Sequence, residues 1–502
     1  MKSTRYFFIV CITTFLISCN KDDSIIKLSV HPEDVVHTMA GGMGASWHSI
    51  IKDIPKNNHL YEYPVHDGTT RGSAWGGNPP LEYEDAWEQI CNHAEWLGLN
   101  FMRVELSQRM YEPDRNKFDW ENEEMQALFR ILDWCEKAGA DVFLQQMWAY
   151  VEWNAIPGVH PLLSAPNSVD DFAEGIGTLL DHLINTRGYT CIKYISIVNE
   201  PPGGTWGYWW GFGDGTGSVT PAWKRVHEEI DARDLDVILS GPDWTDMPPF
   251  DASKIDFDPY IGSYDIHSYQ GIGDKEEAII SDWVDWARKH NKPFLLTEFG
   301  NMQLGWRGDN PGPKSFEAAL SNAEGIMRGL RQEVDAFNRW SFTNRGDLDG
   351  QWQLIRTFDR ESKQYYKSAE PEPVAYYGYG IITRFASKYA EIMKYELSNL
   401  PDSCHLYAGV LRNPGGTITM YLVNRDDTDY NLKLHFEESQ ESDFYLYQVT
   451  EEKILNNKNP LNPVSKVDLE NRAQAINIPA KSLTAISQLH LTESDKGLVY
   501  EN

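Results

Sequence analysis

Two glutamates each close a short β-rich run, Glu200 in Asn199-Glu200-Pro201 and Glu298 in Thr297-Glu298-Phe299-Gly300. A facing pair of carboxyl groups can divide a displacement between them. One, protonated, donates to the departing oxygen; the other, ionised, attacks carbon, and breaking a glycosidic bond needs such a pair. Asymmetric surroundings must separate their pKa values. Arg103 and Tyr269, near the ends of other β-rich runs, are placed to keep Glu298 ionised. The Asn199 amide is placed to bind a sugar 2-hydroxyl, whose hydrogen bond strengthens in the transition state. His267, in His267-Ser268-Tyr269, and Trp340, in Trp340-Ser341-Phe342, complete the run-end side chains. Either glutamate alone could be a buried ion-pair carboxylate; together, with Asn199 adjacent, they read as a catalytic pair.

Aromatic residues surround these positions. Trp148, Trp153, Trp206, Trp209, Trp210, Trp244, Trp306 and Trp352 fall in or beside the intervening loops, where flat rings can stack on sugar faces, and about half are expected to touch ligand. The loop 203–211, carrying Trp206, follows Glu200 directly and is the best candidate for a leaving-group subsite. Two lookalikes are set aside. The glycine-rich stretch 211–217 lacks the spacing and following helix of a phosphate loop, and Asp347-Leu348-Asp349-Gly350 lacks the remaining ligands of a calcium loop. Neither His-Glu-x-x-His nor Gly-x-Ser-x-Gly occurs, so metalloprotease and serine-hydrolase chemistry have no anchor. Cys91, Cys135, Cys191 and Cys404 are widely scattered without a Cys-x-x-Cys pair, which argues against zinc and favours buried thiols. No metal or cofactor is expected.

Positioning such a set calls for a parallel sheet wrapped by helices. Eight β-rich runs, at 38–47, 100–106, 141–148, 194–199, 236–240, 263–269, 293–298 and 336–342, alternate with helical patterns such as 83–97, 121–138, 169–186, 275–290 and 315–334. The expectation is a (β/α)8 TIM barrel over 37–388, because its reactive groups project from the C-terminal ends of strands. A last helical stretch, 374–388, leads into short alternating runs over 389–492, read as a C-terminal antiparallel β-sandwich, with 493–502 as a tail. The segment 25–30 is a candidate extra strand for that sandwich, within a 20–36 tether. The sandwich is expected to brace the barrel rather than bind sugar.

At the N-terminus, Lys2 and Arg5 precede an apolar run, 7–17, too short to span a bilayer. Residues 1–19 read as a signal peptide, and Leu16-Ile17-Ser18-Cys19 resembles a bacterial lipoprotein box that leaves Cys19 lipidated. The expected location is the cell envelope, at the outer membrane and surface-exposed, with the membrane met through the lipid anchor only. The net charge of −29 opposes nucleic acid and anionic surfaces, both polyanions. The expected partner is a carbohydrate substrate; no protein partner is inferred.

Over 37–388 the sequence resembles glycoside hydrolase clan A, most specifically in Asn199-Glu200-Pro201 and at Glu298. The resemblance implies Glu200 as acid/base, Glu298 as nucleophile, retention through a covalent glycosyl-enzyme, and Arg103, His267, Tyr269 and Trp340 as subsite residues. The added sandwich, with Gly41-Gly42-Met43-Gly44 on the first strand, is more similar to families 30 and 39 than to a bare family 5 barrel. Two alternatives use the same residues: a surface glycan-binding lipoprotein without turnover, and a transglycosylase passing the sugar to an acceptor other than water.

Overall fold

The computed structural model describes residues 25–49, 62–64, 70–72, 77–146, 151–159, 161, 164–201, 220–245, 256–304, 312–343, 352–359, 364–437, 443–467 and 475–498. Eight parallel strands close a barrel: β1 Met43–His48, β2 Phe101–Leu106, β3 Asp141–Gln146, β4 Ile192–Ser196, β5 Ile238–Thr245, β6 Ser263–Ser268, β7 Phe294–Phe299 and β8 Ala336–Arg339. Their neighbours follow chain order, with β8 beside β1. Strands covered on both faces read as nearly continuous apolar runs, so the few polar residues within them mark the barrel interior.

Strand β2 shows how the period of two sorts its side chains. Met102, Val104 and Leu106 join the core between strands and helices. Phe101 instead packs with Phe143, Tyr194, Leu295 and Ala336 in a separate plug. On Phe101's face, Arg103 and then Glu105 stand above it, which fixes their direction into the barrel before any contact is considered.

The wrapping helices are α1 Glu84–Leu97, α2 Glu123–Ala138, α3 Val169–Asp181, α4 Thr220–Ala232, α5 Asp274–Lys289, α6 Phe316–Arg331 and α7 Pro373–Thr383. In α2, the Asn122 side chain accepts the Met125 N–H at 3.0 Å, and Glu123 and Glu124 occupy the first turn. Both features satisfy the positive N-terminal end. Met125, Leu128, Leu132 and Cys135 form its buried face at helical spacing. Gly139, at φ +75°, ends it in the left-handed conformation that glycine adopts without a Cβ penalty. Cys91, Cys135, Cys191 and Cys404 are free thiols, and burial pushes the thiols of Cys91, Cys135 and Cys191 up in pKa.

The first barrel strand begins later than its sequence run. Ile25–Thr38 is one strand of the C-terminal sheet, with Thr38 opposite Glu391, and the chain turns through 39–42 before β1. Gly44 explains the sharp entry: a Cβ there would run into the Phe101 carbonyl of β2, so only glycine lets the two strands approach. A hairpin of Ile355–Asp359 and Gln364–Pro371, unmarked in the sequence pattern, lies between β8 and α7.

Beyond α7, eight strands from Glu391–Ser398 to Ser482–Ser487 join Ile25–Thr38 in a nine-stranded sheet. Pairing is antiparallel, except where Ile25–Val30 runs parallel to Asn431–Phe436. The sheet folds over on itself. Phe436 and Phe444 belong to strands near its opposite ends, yet their rings are 5.4 Å apart. Ile26, Leu28, Val410, Met420, Leu432 and Ile486 fill the space between the two layers. The other face, with Leu411, Tyr421, Val423, Tyr447 and Leu483, merges into the barrel's own core. No helix among the described residues is long and apolar enough to cross a membrane.

Candidate active site

Arg103 and Glu105 rise from β2 into the barrel mouth. Arg103 Nη1 lies 2.7 Å from Glu105 Oε1 and 2.5 Å from Glu298 Oε1, while Nη2 donates to Asn199 Oδ1 at 2.9 Å. The opposite oxygen of Glu105 meets His48 Nδ1 at 2.5 Å. One fully buried guanidinium therefore aligns the carboxylate on β7 with the amide beside Glu200. Its fork geometry makes this possible.

Glu298 reaches the mouth because β7 contains a bulge. Leu295 faces the plug and Leu296 the outer core; strict alternation would then turn Glu298 outward. The pairing with β6 slips between Leu296 and Glu298, and the extra residue re-aims Glu298 inward. Its Oε1 accepts from Arg103, and its Oε2 accepts from the Tyr269 hydroxyl at 2.5 Å, with His267 Nδ1 3.4 Å away. Burial pushes its pKa up to about 7, against the pull of Arg103 and then His267, with Glu200 adding repulsion.

Glu200 follows β4 at φ +48°, a region that L-residues seldom occupy. Its backbone N–H donates to the Asp243 carbonyl at 3.1 Å, and its side chain, one fifth exposed, keeps contact with the cleft. His267 Nδ1 lies 2.8 Å from Glu200 Oε1, and Nε2 lies 3.0 Å from Asp243 Oδ1. A ring with a carboxylate at each nitrogen is at home as an imidazolium, with a donor on both sides. Burial opposes that charge, but Asp243 and Glu298 outweigh it and hold His267 well above the usual histidine range.

Asp243 owes its position to a second bulge. The β5–β6 register slips between Pro242 and Trp244, and Asp243 sits at φ +59°. The shift turns Asp243 inward to His267 and sends Trp244 out against Trp283 and Phe257. Trp244, expected at the mouth, is therefore part of the packing between strands and helices. Behind Asp243, Asp265 Oδ1 accepts the Asp243 N–H at 2.8 Å. Burial, then the charge of Asp243, push the Asp265 carboxyl up to about 8, so it stays protonated at neutral pH.

Trp340 and Trp352 pack with Tyr269 in a small aromatic cluster, and the Arg103 guanidinium lies 6.0 Å from the Trp340 ring centre. Trp153 is half-buried, its indole donating to the Glu112 carbonyl at 3.2 Å. Trp148, Trp206, Trp209, Trp210, Trp306, Cys19 and the segments 211–217 and 347–350 lie outside the described residues. Arg103, Asn199, Glu200, His267, Tyr269, Glu298 and Trp340 are thus gathered at one end of the barrel. Sequence reasoning missed His48, Glu105, Asp243 and Asp265. A carboxylate set between apolar neighbours within a strand marks Glu105, between Val104 and Leu106, and Asp265, between Tyr264 and Ile266, whereas Asp243 lies beyond the run 236–240 where strand five was expected to end.

Glu200, His267 and Glu298 bring one donor atom each within 4.8 Å of one another, a spacing that would also suit a cation. Both oxygens of Glu298 already accept hydrogen bonds, both nitrogens of His267 face carboxylates, and Arg103 supplies positive charge. The donor set suits a carboxyl pair exchanging protons better than a metal.

Residues 59–346 match the cellulase family, glycosyl hydrolase family 5. No curated protein sequence matches the chain. Among solved structures, the fold is similar to a GH30 endoxylanase from Clostridium papyrosolvens, at 11% identity and a TM-score of 0.60, over 92% of this chain and 99% of that one. An endo-β1,6-glucanase is similar at 12% identity and a TM-score of 0.60, over 93% and 94%. A GH39 β-xylosidase from Caulobacter crescentus is similar at 13% identity and a TM-score of 0.54, over 92% and 99%.

Proposed function

The chain belongs to the cellulase family, glycosyl hydrolase family 5, and is an O-glycosyl hydrolase of clan A; from that premise we propose that it cleaves β-glycosidic bonds of an extracellular polysaccharide with retention. The observation that carries this reading is the spacing of the two carboxyl groups. An oxygen of Glu200 and an oxygen of Glu298 lie within 4.8 Å of each other. Retaining enzymes hold their pair about 5–5.5 Å apart, whereas inverting enzymes leave about 6.5–9.5 Å for a water.

The roles follow from the partners of each group. Glu298 receives hydrogen bonds from Arg103 and Tyr269 and makes none as a donor, which suits the attacking carboxylate. It adds to the anomeric carbon as the glycosidic bond breaks, forming a covalent glycosyl-enzyme. Glu200 Oε1 accepts from His267, so the acidic proton belongs on Oε2, where it passes to the departing oxygen. Glu200 then removes a proton from water, which displaces the sugar from Glu298 and restores both groups. Arg103 occupies Asn199 Oδ1, leaving the amide N–H groups to the sugar 2-hydroxyl. Trp340 and Trp352 are buried against Tyr269 and hold the ring whose hydroxyl donates to Glu298. The names of the similar enzymes, an endo-β1,6-glucanase and a β-xylosidase among them, support a β-linked polysaccharide as the substrate class. The leader with Cys19 supports a lipid-anchored protein at the cell surface.

A screen of a soluble form starting at Asn20 against aryl β-glycosides and plant, algal and host glycans tests the reading. Sugar release is expected from the wild type, with kcat lowered by about 10³-fold or more in both Glu200→Gln and Glu298→Gln. Glycan binding without release, unchanged in either variant, would show a binding protein instead. Released sugar whose first-formed anomer is inverted would overturn retention.

A further inference from the structure

Asp243, fully buried on β5, reaches Glu200 by two routes. The Glu200 backbone N–H is shared between the Asp243 carbonyl at 3.1 Å and Asp243 Oδ2 at 3.3 Å. The other carboxylate oxygen, Oδ1, lies 3.0 Å from His267 Nε2, and Nδ1 of the same ring lies 2.8 Å from Glu200 Oε1. Main chain and side chain of Glu200 are thus both tied to one carboxylate. Gln145 of β3 adds to the hold: its amide lies 3.5 Å from Asp243 Oδ2 and donates to the carbonyl of Val198, two residues before Glu200. From behind, Asp265 Oδ1 accepts the Asp243 N–H at 2.8 Å. Glycosidic cleavage itself calls for two carboxyl groups, so a third, buried beside them and held on three sides, needs another purpose.

The ring between them shows what that purpose is. His267 is fully buried, and a neutral imidazole has one N–H to give. With that N–H spent on Asp243, a neutral ring would turn a bare Nδ1 toward Glu200 and toward Glu298 Oε2, 3.4 Å away. The acidic proton of Glu200 would then be drawn onto Oε1, away from the glycosidic oxygen. An imidazolium donates on both sides instead. Burial opposes the charge, and Asp243 is the first influence to offset it. We propose that Asp243 is a positioning residue for the reaction: it fixes His267 as a two-sided donor and so sets a positive charge beside both catalytic carboxyl groups. This role rests on the functions proposed above for Glu200 and Glu298. That charge favours the ionised form of Glu298, which also faces Arg103 and Glu105 from β2, Glu200 beyond β4 and Tyr269 beyond β6.

Asp243→Asn keeps the shape and removes the charge. The Glu200 N–H and the Gln145 amide both call for an acceptor at the Oδ2 position. The new NH2 group therefore takes the Oδ1 position, donates to Nε2 and leaves His267 neutral with its N–H on Nδ1. Loss of a neighbouring cation raises a carboxyl pKa, so the acidic limb of kcat/KM should move up by about one pH unit. In a His267→Gln background, which has no imidazolium to lose, the same substitution should leave the limb in place and change kcat by less than about twofold. Nitrogen NMR of histidine-labelled protein at pH 7 should show both His267 nitrogens protonated in the wild type and one in Asp243→Asn. An unmoved limb in Asp243→Asn, a shift kept in full on His267→Gln, or a neutral His267 in the wild type would each overturn the role of Asp243. The wild-type spectrum needs no turnover: a doubly protonated ring in a protein that releases no sugar would strike the proposed function and not the hold of Asp243 on His267.

Discussion

Glu298 combines opposed influences: burial lifts its pKa to about 7, while Arg103 and His267 favour its charge. If it is the nucleophile, only its ionised form attacks. kcat/KM should then fall about tenfold for each pH unit below about 7. Tyr269→Phe removes a donor that favours the charged form, so the acidic limb should move to higher pH and kcat should drop about 10²-fold. An unmoved limb in pH profiles of the two proteins would separate Tyr269 from the titration of Glu298. Asp265 gives a different signature, in stability. Its folded pKa of about 8 lies above the unfolded value of about 3.9. Folding therefore takes up a proton between those values, and this group's contribution weakens as pH rises from about 4 to 8, by on the order of 1 kcal/mol per unit. Asp243, the carboxylate next to it, and His267 face the same group. Asp265→Asn cannot ionise, so its Tm should gain on the wild type across that interval and the gap should level off above pH 8. A gap that is flat with pH would place the proton elsewhere.

At the scale of elements, the barrel strands place the chemistry through two devices, alternation and bulges. Alternation was legible: Phe101, Arg103 and Glu105 share a face because they are two residues apart. The bulges were not. Nothing in Leu296-Thr297-Glu298 announces the slip that turns Glu298 inward, and the slip at Pro242 exchanged Trp244 for Asp243 at the interior. A bulge is settled by what the neighbouring strand offers for pairing, which a single strand's sequence does not contain. The glycines of the first strand are a clearer signal. Gly44→Ala puts a methyl group against the Phe101 carbonyl, a backbone atom that cannot swing away. The expected loss is about 3 kcal/mol, read from the urea midpoint with an unchanged m-value.

For the whole molecule, the C-terminal sheet shares its core with the barrel. Tyr421 donates its hydroxyl to the Ile382 carbonyl at 3.1 Å, and the Tyr447 ring lies 4.6 Å from Phe385. Arg425, from the sheet, meets Glu324 of α6 at 2.7 Å and also Glu317. An apolar joint with buried polar anchors holds two parts as one unit. Calorimetry should therefore show a single unfolding transition. Phe385→Ala should lower the stability of the whole by about 3–5 kcal/mol without splitting that transition. Two resolved transitions in the wild type would show that the sheet folds independently of the barrel.

The sequence by itself determined the architecture, because eight apolar runs alternating with helical faces leave few ways to bury both, and a barrel is the arrangement that suits them. It also placed the two glutamates and most of their neighbours at one end of the barrel, since the C-terminal strand ends converge there. The tertiary structure decided which partners those residues take. His267 meets Glu200 and Asp243 together, and one guanidinium ties Glu105, Asn199 and Glu298. Strand order brings β2, β4, β5, β6 and β7 around one axis, and contacts across that axis join residues far apart in the chain.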